Sequence, residues 1–166
     1  MITDDTNSGG NALAEVYDVN SGDTTTRLIN ISARAKVGGS SAMILSGGFV
    51  ISGSGSETVL IRGIGPTLSA FGVASPVSAP TLTLFNGKST AIAQNAGWPA
   101  SSTINSTTVL FSDIFARVGA FALPAGSADC AILVSLPAGN YTAQLGQAEG
   151  GVGGIGLLEI YEVSSP

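Results

Sequence analysis

Residues 27–37 alternate in character. Ile29, Ile31, Ala33, Ala35 and Val37 fall on one parity, and Leu28, Asn30, Ser32, Arg34 and Lys36 on the other. Successive strand side chains point to opposite faces, so this period predicts a half-buried antiparallel strand. Similar short runs recur. Residues 43–52 form a second, with Gly47-Gly48 inside it marking a bulge or a close backbone approach. Residues 53–56 read as a hairpin turn and 57–62 as the returning strand, after which Gly63-Ile64-Gly65-Pro66 breaks the sheet. Residues 81–85 and 90–94 read as a hairpin about Asn86-Gly87, the strongest short turn signal present. Two Leu-Pro-Ala-Gly segments, 123–126 and 136–139, place Pro where φ is preset and Gly where a turn closes. They bracket a predicted strand at 128–136. Residues 140–145 follow, with Tyr141, Ala143 and Leu145 on one face, and 155–163 form the last strand. One stretch departs from the period of two. Leu110, Phe111, Ile114, Phe115 and Val118 sit at helical spacing, predicting a short helix over 106–118 capped by Ser106 or Thr107.

Short strands separated by frequent turns predict an all-β fold, an antiparallel β-sandwich of jelly-roll or Ig-like type, with one short helix over one end. The chain divides into an N-terminal extension, 1–26, and a sandwich domain, 27–166.

Composition sharpens this. A chain of 166 residues is long enough for one domain with a core of its own. Hydrophobic residues are 44% but aromatics only 6%, so Val, Ile, Leu and Ala must build that core. Charged residues are 10%, against about 25% in ordinary domains. Such a surface suits a protein covered by neighbours or displayed outside the cell, so an extracellular or cell-surface location is expected. The net charge is −5 and the six basic residues are scattered. No basic patch is available to neutralise a run of phosphates, so nucleic acid is not an expected partner. No stretch approaches the ~20 apolar residues of a membrane helix, and residues 1–10 lack the pattern of a signal peptide.

The catalytic vocabulary is thin. There is no His and one Cys, which removes Ser-His-Asp triads, Cys-His pairs and His- or thiolate-ligated metal centres. The acidic residues fall in no motif, and one Trp and three Tyr are few for a glycosidase groove. Residues 151–156 match Gly-x-Gly-x-x-Gly, but a strand rather than a helix follows, so they read as a glycine turn. Asp18, Asn20 and Asp23 are spaced like a fragment of a calcium loop that lacks its glycine and closing Glu, and read as a turn. Cys130 lies in a strand-like run and reads as a small buried apolar residue. Arg62 ends an apolar strand and reads as an arginine paired with a carboxylate or carbonyls. Trp98 reads as a lid on the core, with a ligand surface as the other option. No catalytic residue, metal ligand or cofactor is expected, and the chain is not read as an enzyme.

The most specific feature is a duplication. Residues 12–19, Ala-Leu-Ala-Glu-Val-Tyr-Asp-Val, resemble residues 156–163, Gly-Leu-Leu-Glu-Ile-Tyr-Glu-Val. From 13 to 19 every position is identical or similar except Ala14 against Leu158, and the offset from Leu13 to Leu157 is 144 residues. This pattern predicts one full domain plus the closing strand of a preceding copy. Two roles are open for it. The strand sits on an edge within its own chain, or Leu13, Glu15, Val16, Tyr17 and Val19 add to a sheet of the next subunit, as in donor-strand complementation. Burying about four apolar side chains contributes ~6–12 kcal/mol, while ordering eight residues costs ~8–16 kcal/mol. A strand alone is therefore marginal, and a preformed acceptor is needed.

Several phrases resemble a recurrent domain of bacterial secreted and surface proteins: Ala-Glu-Val-Tyr-Asp-Val (14–19), Arg-Leu-Ile-Asn-Ile-Ser (27–32), Gly-Gly-Phe-Val-Ile-Ser-Gly (47–53), Val-Leu-Ile-Arg-Gly-Ile-Gly-Pro-Thr-Leu (59–68), Val-Gly-Ala-Phe-Ala-Leu-Pro-Ala-Gly-Ser-Ala-Asp (118–129) and Leu-Pro-Ala-Gly-Asn-Tyr-Thr-Ala (136–143). The second half is also similar to bacterial pre-peptidase C-terminal domains, small β-sandwiches appended to exported enzymes. Those often carry Asn-Asp-Asp-Trp where this chain has Asn95-Ala96-Gly97-Trp98, so the acidic pair a metal role would use is absent. The resemblance implies export, a β-sandwich and an accessory or structural role. The leading expectation is a structural module whose partners are copies of itself, joined by strand addition into a surface filament or array. The alternative is a module binding carbohydrate or another surface polymer on a larger exported protein, and a hydrolase is the weakest reading.

Overall fold

The computed structural model describes residues 10–17, 28–39, 43–99, 101–104 and 107–163. The elements are β1 (Asn30–Val37), β2 (Leu45–Ile64), a 3₁₀ helix (Pro66–Phe71), β3 (Pro80–Asn86), β4 (Ala91–Asn95), β5 (Ser101–Ile104), β6 (Thr107–Leu110), α1 (Phe111–Arg117), β7 (Cys130–Gln147) and β8 (Gly154–Glu162). Among the described residues six strands form one sheet, in the order β1-β8-β2-β7-β3-β4, and β5 pairs with β6 separately. Every strand pairing is antiparallel. The chain is thus all-β with one short α-helix, as its patterning predicts.

The sandwich is made by folding that one sheet over. β2 and β7 pair from Leu45↔Leu145 to Gly63↔Cys130, with a register shift between Ile51 and Ser56. On one side of the shift β2 continues the half-sheet of β7, β3 and β4. On the other it lies between β7 and β8. The two halves face each other closely. A methyl group at Gly47 would sit 3.0 Å from Leu158 and 3.1 Å from Ile160, and one at Gly63 would sit 2.7 Å from Leu145. The core between them takes Ile61, Ile132, Leu158 and Ile160 from one half and Leu82, Leu84, Ala143 and Leu145 from the other.

Here the structure corrects the sequence reading. Residues 53–56 and 136–139 are not chain-reversing turns. They lie opposite each other at the fold in the paired strands, with Ile51 against Gly139 and Ser56 against Pro137. Gly, Ser and Pro mark bulges and bends in a continuing strand as well as turns. The Tyr141 hydroxyl secures this corner by donating to the Pro137 carbonyl at 2.9 Å. By contrast, the Asn86-Gly87 hairpin forms where predicted. The Asn86 side-chain oxygen accepts from the backbone N–H groups of Lys88 and Thr90 at 2.9 and 3.1 Å.

A second core lies on the outer face of the β8-β2-β7 half, where Leu60, Ile64, Ala131 and Leu133 pack under Phe111, Ile114 and Phe115 of α1 and Leu68 of the 3₁₀ helix. Both faces of this half-sheet are therefore covered, and β2 is buried at every position from Val59 to Ile64. The helix is shorter than predicted. Residues 107–110 are β6, α1 begins at Phe111, and its N-cap is Leu110, which makes no side-chain cap. Ser106 lies outside the described residues. The Thr-Thr-Val run favours a strand, and only the following Phe-x-x-Ile-Phe spacing stays helical. The glycines of 151–156 serve packing: a methyl at Gly154 would come within 2.2 Å of the Ser75 carbonyl oxygen, where Pro76 bridges Ile155.

Candidate self-association surface and the buried Arg62 cluster

Gly10 to Tyr17 form no strand and pair with no part of the sheet. Leu13, Val16 and Tyr17 are 80%, 65% and 74% exposed. Val19, like Asp18, Asn20 and Asp23, lies outside the described residues. The duplication nevertheless has a structural echo. The Tyr17 hydroxyl donates to Glu15 Oε1 at 2.9 Å, and the Tyr161 hydroxyl donates to Glu159 Oε1 at 2.9 Å. Both copies thus hold Glu and Tyr side by side, as residues i and i+2 stand on one strand face.

In β8 that face meets the outer core. Leu157 and Tyr161 pack against it, while Leu158 and Ile160 enter the inner core. Glu159 stands opposite Arg62 of β2, with its Oε2 3.1 Å from Arg62 Nε and both side chains buried. Burial and the Glu159 carboxylate push the Tyr161 phenol up to about 12.

The N-terminal copy does not match the place that β8 occupies. Ala14 in place of Leu158, which is 2% exposed, would leave a cavity costing about 2–5 kcal/mol. Ala12 in place of Gly156 would set a methyl 2.9 Å from Leu145 and 3.1 Å from Val37. The slot between β1 and β2 belongs to β8, so the duplicate is suited to an edge rather than to replacing it.

Among the described residues, edges of the six-stranded sheet include β1, β4 and the first half of β2, which has β7 on one side only. β1 is solvent-exposed from Asn30 to Arg34. Along its outer face runs a shallow groove of about 410 Å³ lined by Ser32, Arg34, Leu68, Phe71 and Phe121. It continues into a second hollow of about 360 Å³ beside Arg34, Val73 and Ile155. Phe71 is 59% exposed and rests on Phe121, with ring centroids 4.7 Å apart.

Behind Phe121 lies the most elaborate polar arrangement among the described residues. Arg62 is fully buried, as the sequence reading of a paired arginine allowed. Its Nη1 donates to the Phe121 carbonyl at 2.7 Å, and its guanidinium lies over the Phe115 and Phe121 rings at 4.7 and 4.3 Å. Burial lowers its pKa, with Glu159 opposing the shift. Nearby, buried Asp129 accepts from the backbone N–H groups of Gly65 at 2.7 Å and Thr67 at 3.4 Å. It also accepts from the hydroxyls of Ser127, at 2.7 Å, and Thr67. The phrases at 59–68, 118–129 and 156–163 converge on this joint. Glu159 belongs to the duplicated strand and Asp129 closes the phrase 118–129, but no sequence signal assigned either a role; their tertiary partners do.

Trp98 is half-buried, with its ring centroid 5.7 Å from that of Phe115 and 6.4 Å from that of Phe111. Its indole N–H is directed at the Pro124 carbonyl and the Ser127 hydroxyl, at 3.1 and 3.2 Å. Cys130 is buried, and its Sγ lies 3.2 Å from the Pro80 carbonyl oxygen. Desolvation lifts its pKa from 9.0 to about 11. The folded state therefore keeps the thiol neutral while the unfolded chain ionises nearer 9.0. Stability from this group is complete below that point and is lost as pH rises towards the folded value, by about 3 kcal/mol in all. Urea melts are expected to weaken over that alkaline interval, and Cys130→Ala to flatten this part of the profile. Tyr161 acts in the same sense at higher pH.

Among the described residues no three His, Cys, Asp or Glu side chains gather to hold a metal, and no helix is long and apolar enough to cross a membrane. What fold and surface define is an all-β domain built from one folded sheet, with a free sheet edge and an exposed copy of its own last strand. Compared with protein-family models and with curated protein sequences, the chain matches none.

Proposed function

We propose that this chain is a structural module that joins copies of itself by β-strand addition, forming a filament or array outside the cell. One observation carries the reading. The segment Leu13–Tyr17 repeats the sequence and the Glu–Tyr hydrogen bond of a strand that the fold needs, yet it stands exposed and, among the described residues, pairs with no strand of its own chain. Exposed sheet edges accept such segments through their unpaired N–H and C=O groups. A preformed edge also removes much of the ordering cost that makes a lone strand marginal. The charged fraction of 10% favours crowding of copies over repulsion and agrees with an exported module.

The test is sedimentation velocity with negative-stain electron microscopy on the full chain and on a variant lacking residues 1–19. None of residues 10–17 belongs to either core, so the deletion takes no described residue out of the packing. The full chain is expected to form concentration-dependent species larger than a monomer, and the deletion variant to stay monomeric. A full chain that remains monomeric, or a deletion variant that assembles unchanged, overturns the proposal.

A further inference from the structure

Resting on the strand-addition reading, we propose that the acceptor is the free edge of β1 in a second copy, and that the added strand lies antiparallel to it with Glu15 directly opposite Arg34. The pattern is already present once inside the fold. β8 runs antiparallel to β2 with Glu159 directly opposite Arg62. β8 also runs antiparallel to β1, so β1 and β2 point the same way. Arg34 is opposite Leu157, which shares the strand parity of Glu159. Arg34 and Arg62 therefore lie on the same face of the sheet, the one that carries the outer core. A strand with the β8 sequence laid on β1 in the β8 direction repeats the Glu-opposite-Arg pair one step further out.

The rest of the register follows. With Glu15 opposite Arg34, Tyr17 is opposite Ser32 and Leu13 opposite Lys36, on the face where Phe71 and Leu68 line the groove. Ala14 and Val16 come opposite Ala35 and Ala33 on the other face, where Ile31 is 43% exposed. Small residues thus meet small residues, and the aromatic side chain meets the hollow. A slip of one residue moves Glu15 to the apolar face, so the register is strongly set.

Charge separates β1 from its competitors. β4 reads Ala-Ile-Ala-Gln-Asn, and the free half of β2 reads Leu-Ser-Gly-Gly-Phe-Val-Ile, neither with a charge to meet Glu15. β1 carries Arg34 and Lys36. Among the described residues no carboxylate lies within ion-pair distance of Arg34. Basic side chains on an edge discourage indiscriminate pairing, while opposite charges placed directly across two strands attract. An edge of this kind refuses a second β1 and accepts an acidic strand. The occupant is another copy because the chain's own segment, though tethered nearby in sequence, is not on the edge.

The experiment is a charge-reversal cycle on the full chain, with dissociation constants from sedimentation equilibrium. Arg34→Glu is expected to weaken association about tenfold, since attraction is replaced by repulsion of similar size. Glu15→Arg is expected to do the same, and the double variant to recover to within about threefold of the parent. Arg34→Glu association equal to the parent's, while the variant lacking residues 1–19 is monomeric, overturns the β1 assignment and leaves strand addition standing. Single reversals that weaken without recovery in the double variant also overturn the pairing. Assembly that survives the deletion removes the reading beneath both.

Discussion

Arg62→Ala is expected to lower the unfolding free energy by about 3–5 kcal/mol, read as a shift in the urea midpoint at unchanged slope. Three losses act together. Glu159 is left buried opposite an apolar side chain. The Phe121 carbonyl loses its donor, and the space between Phe115 and Phe121 that the guanidinium occupies is emptied. The pair itself is not ideal. The Nε–Oε2 contact is close without being a hydrogen bond, and Nη2 has no acceptor. Replacing both partners by apolar residues of similar volume, Arg62→Met with Glu159→Leu, is therefore expected to restore most of the loss. A buried ion pair contributes little over good packing, although breaking it costs much. A double variant as unstable as Arg62→Ala would refute this account.

Asp129→Ala is expected to cost about 2–5 kcal/mol, or a fall in Tm of about 10 °C. The carboxylate holds the Gly65 and Thr67 backbone N–H groups and the hydroxyls of Thr67 and Ser127. It is the clamp between the end of β2, the start of the 3₁₀ helix and the loop entering β7. With it gone, these backbone and hydroxyl donors lose their shared acceptor. Asp129→Asn keeps the volume but turns one acceptor into a donor facing other donors, so it is expected to recover only part of the loss. Calorimetry of both variants checks the order.

Local chemistry was legible: β1 and the Asn86-Gly87 hairpin stand where their residues place them. The alternation of β1 misled on burial, because the strand is exposed on both faces from Asn30 to Arg34 and only Val37 is buried; an edge strand has no sheet neighbour to cover its second side. The long strands were harder to read. β2 looked like two strands joined by a turn because Gly53 to Ser56 offers turn chemistry. Whether such a segment reverses the chain or only kinks it depends on what lies alongside, here the matching bend of β7. The helix was read too long because Leu110 shares the helical spacing, and nothing local marked the pairing of 107–110 with 101–104. The N-terminal duplicate was plain from sequence. That it cannot take the place of β8 was not, because the obstacle is the side chains of Leu145 and Val37 around Gly156.

By itself, then, the sequence determined an all-β domain with an aliphatic core, no histidine chemistry, and a last strand written twice. Those properties depend on residue type and on periods of two along the chain, which need no knowledge of distant partners. Tertiary structure alone decided that one sheet folds over to make both layers, that Arg62 meets Glu159 and Asp129 meets Gly65, and that β1 keeps a free edge. Each of these is a meeting of residues far apart in sequence, and only the packed chain brings them within bonding distance.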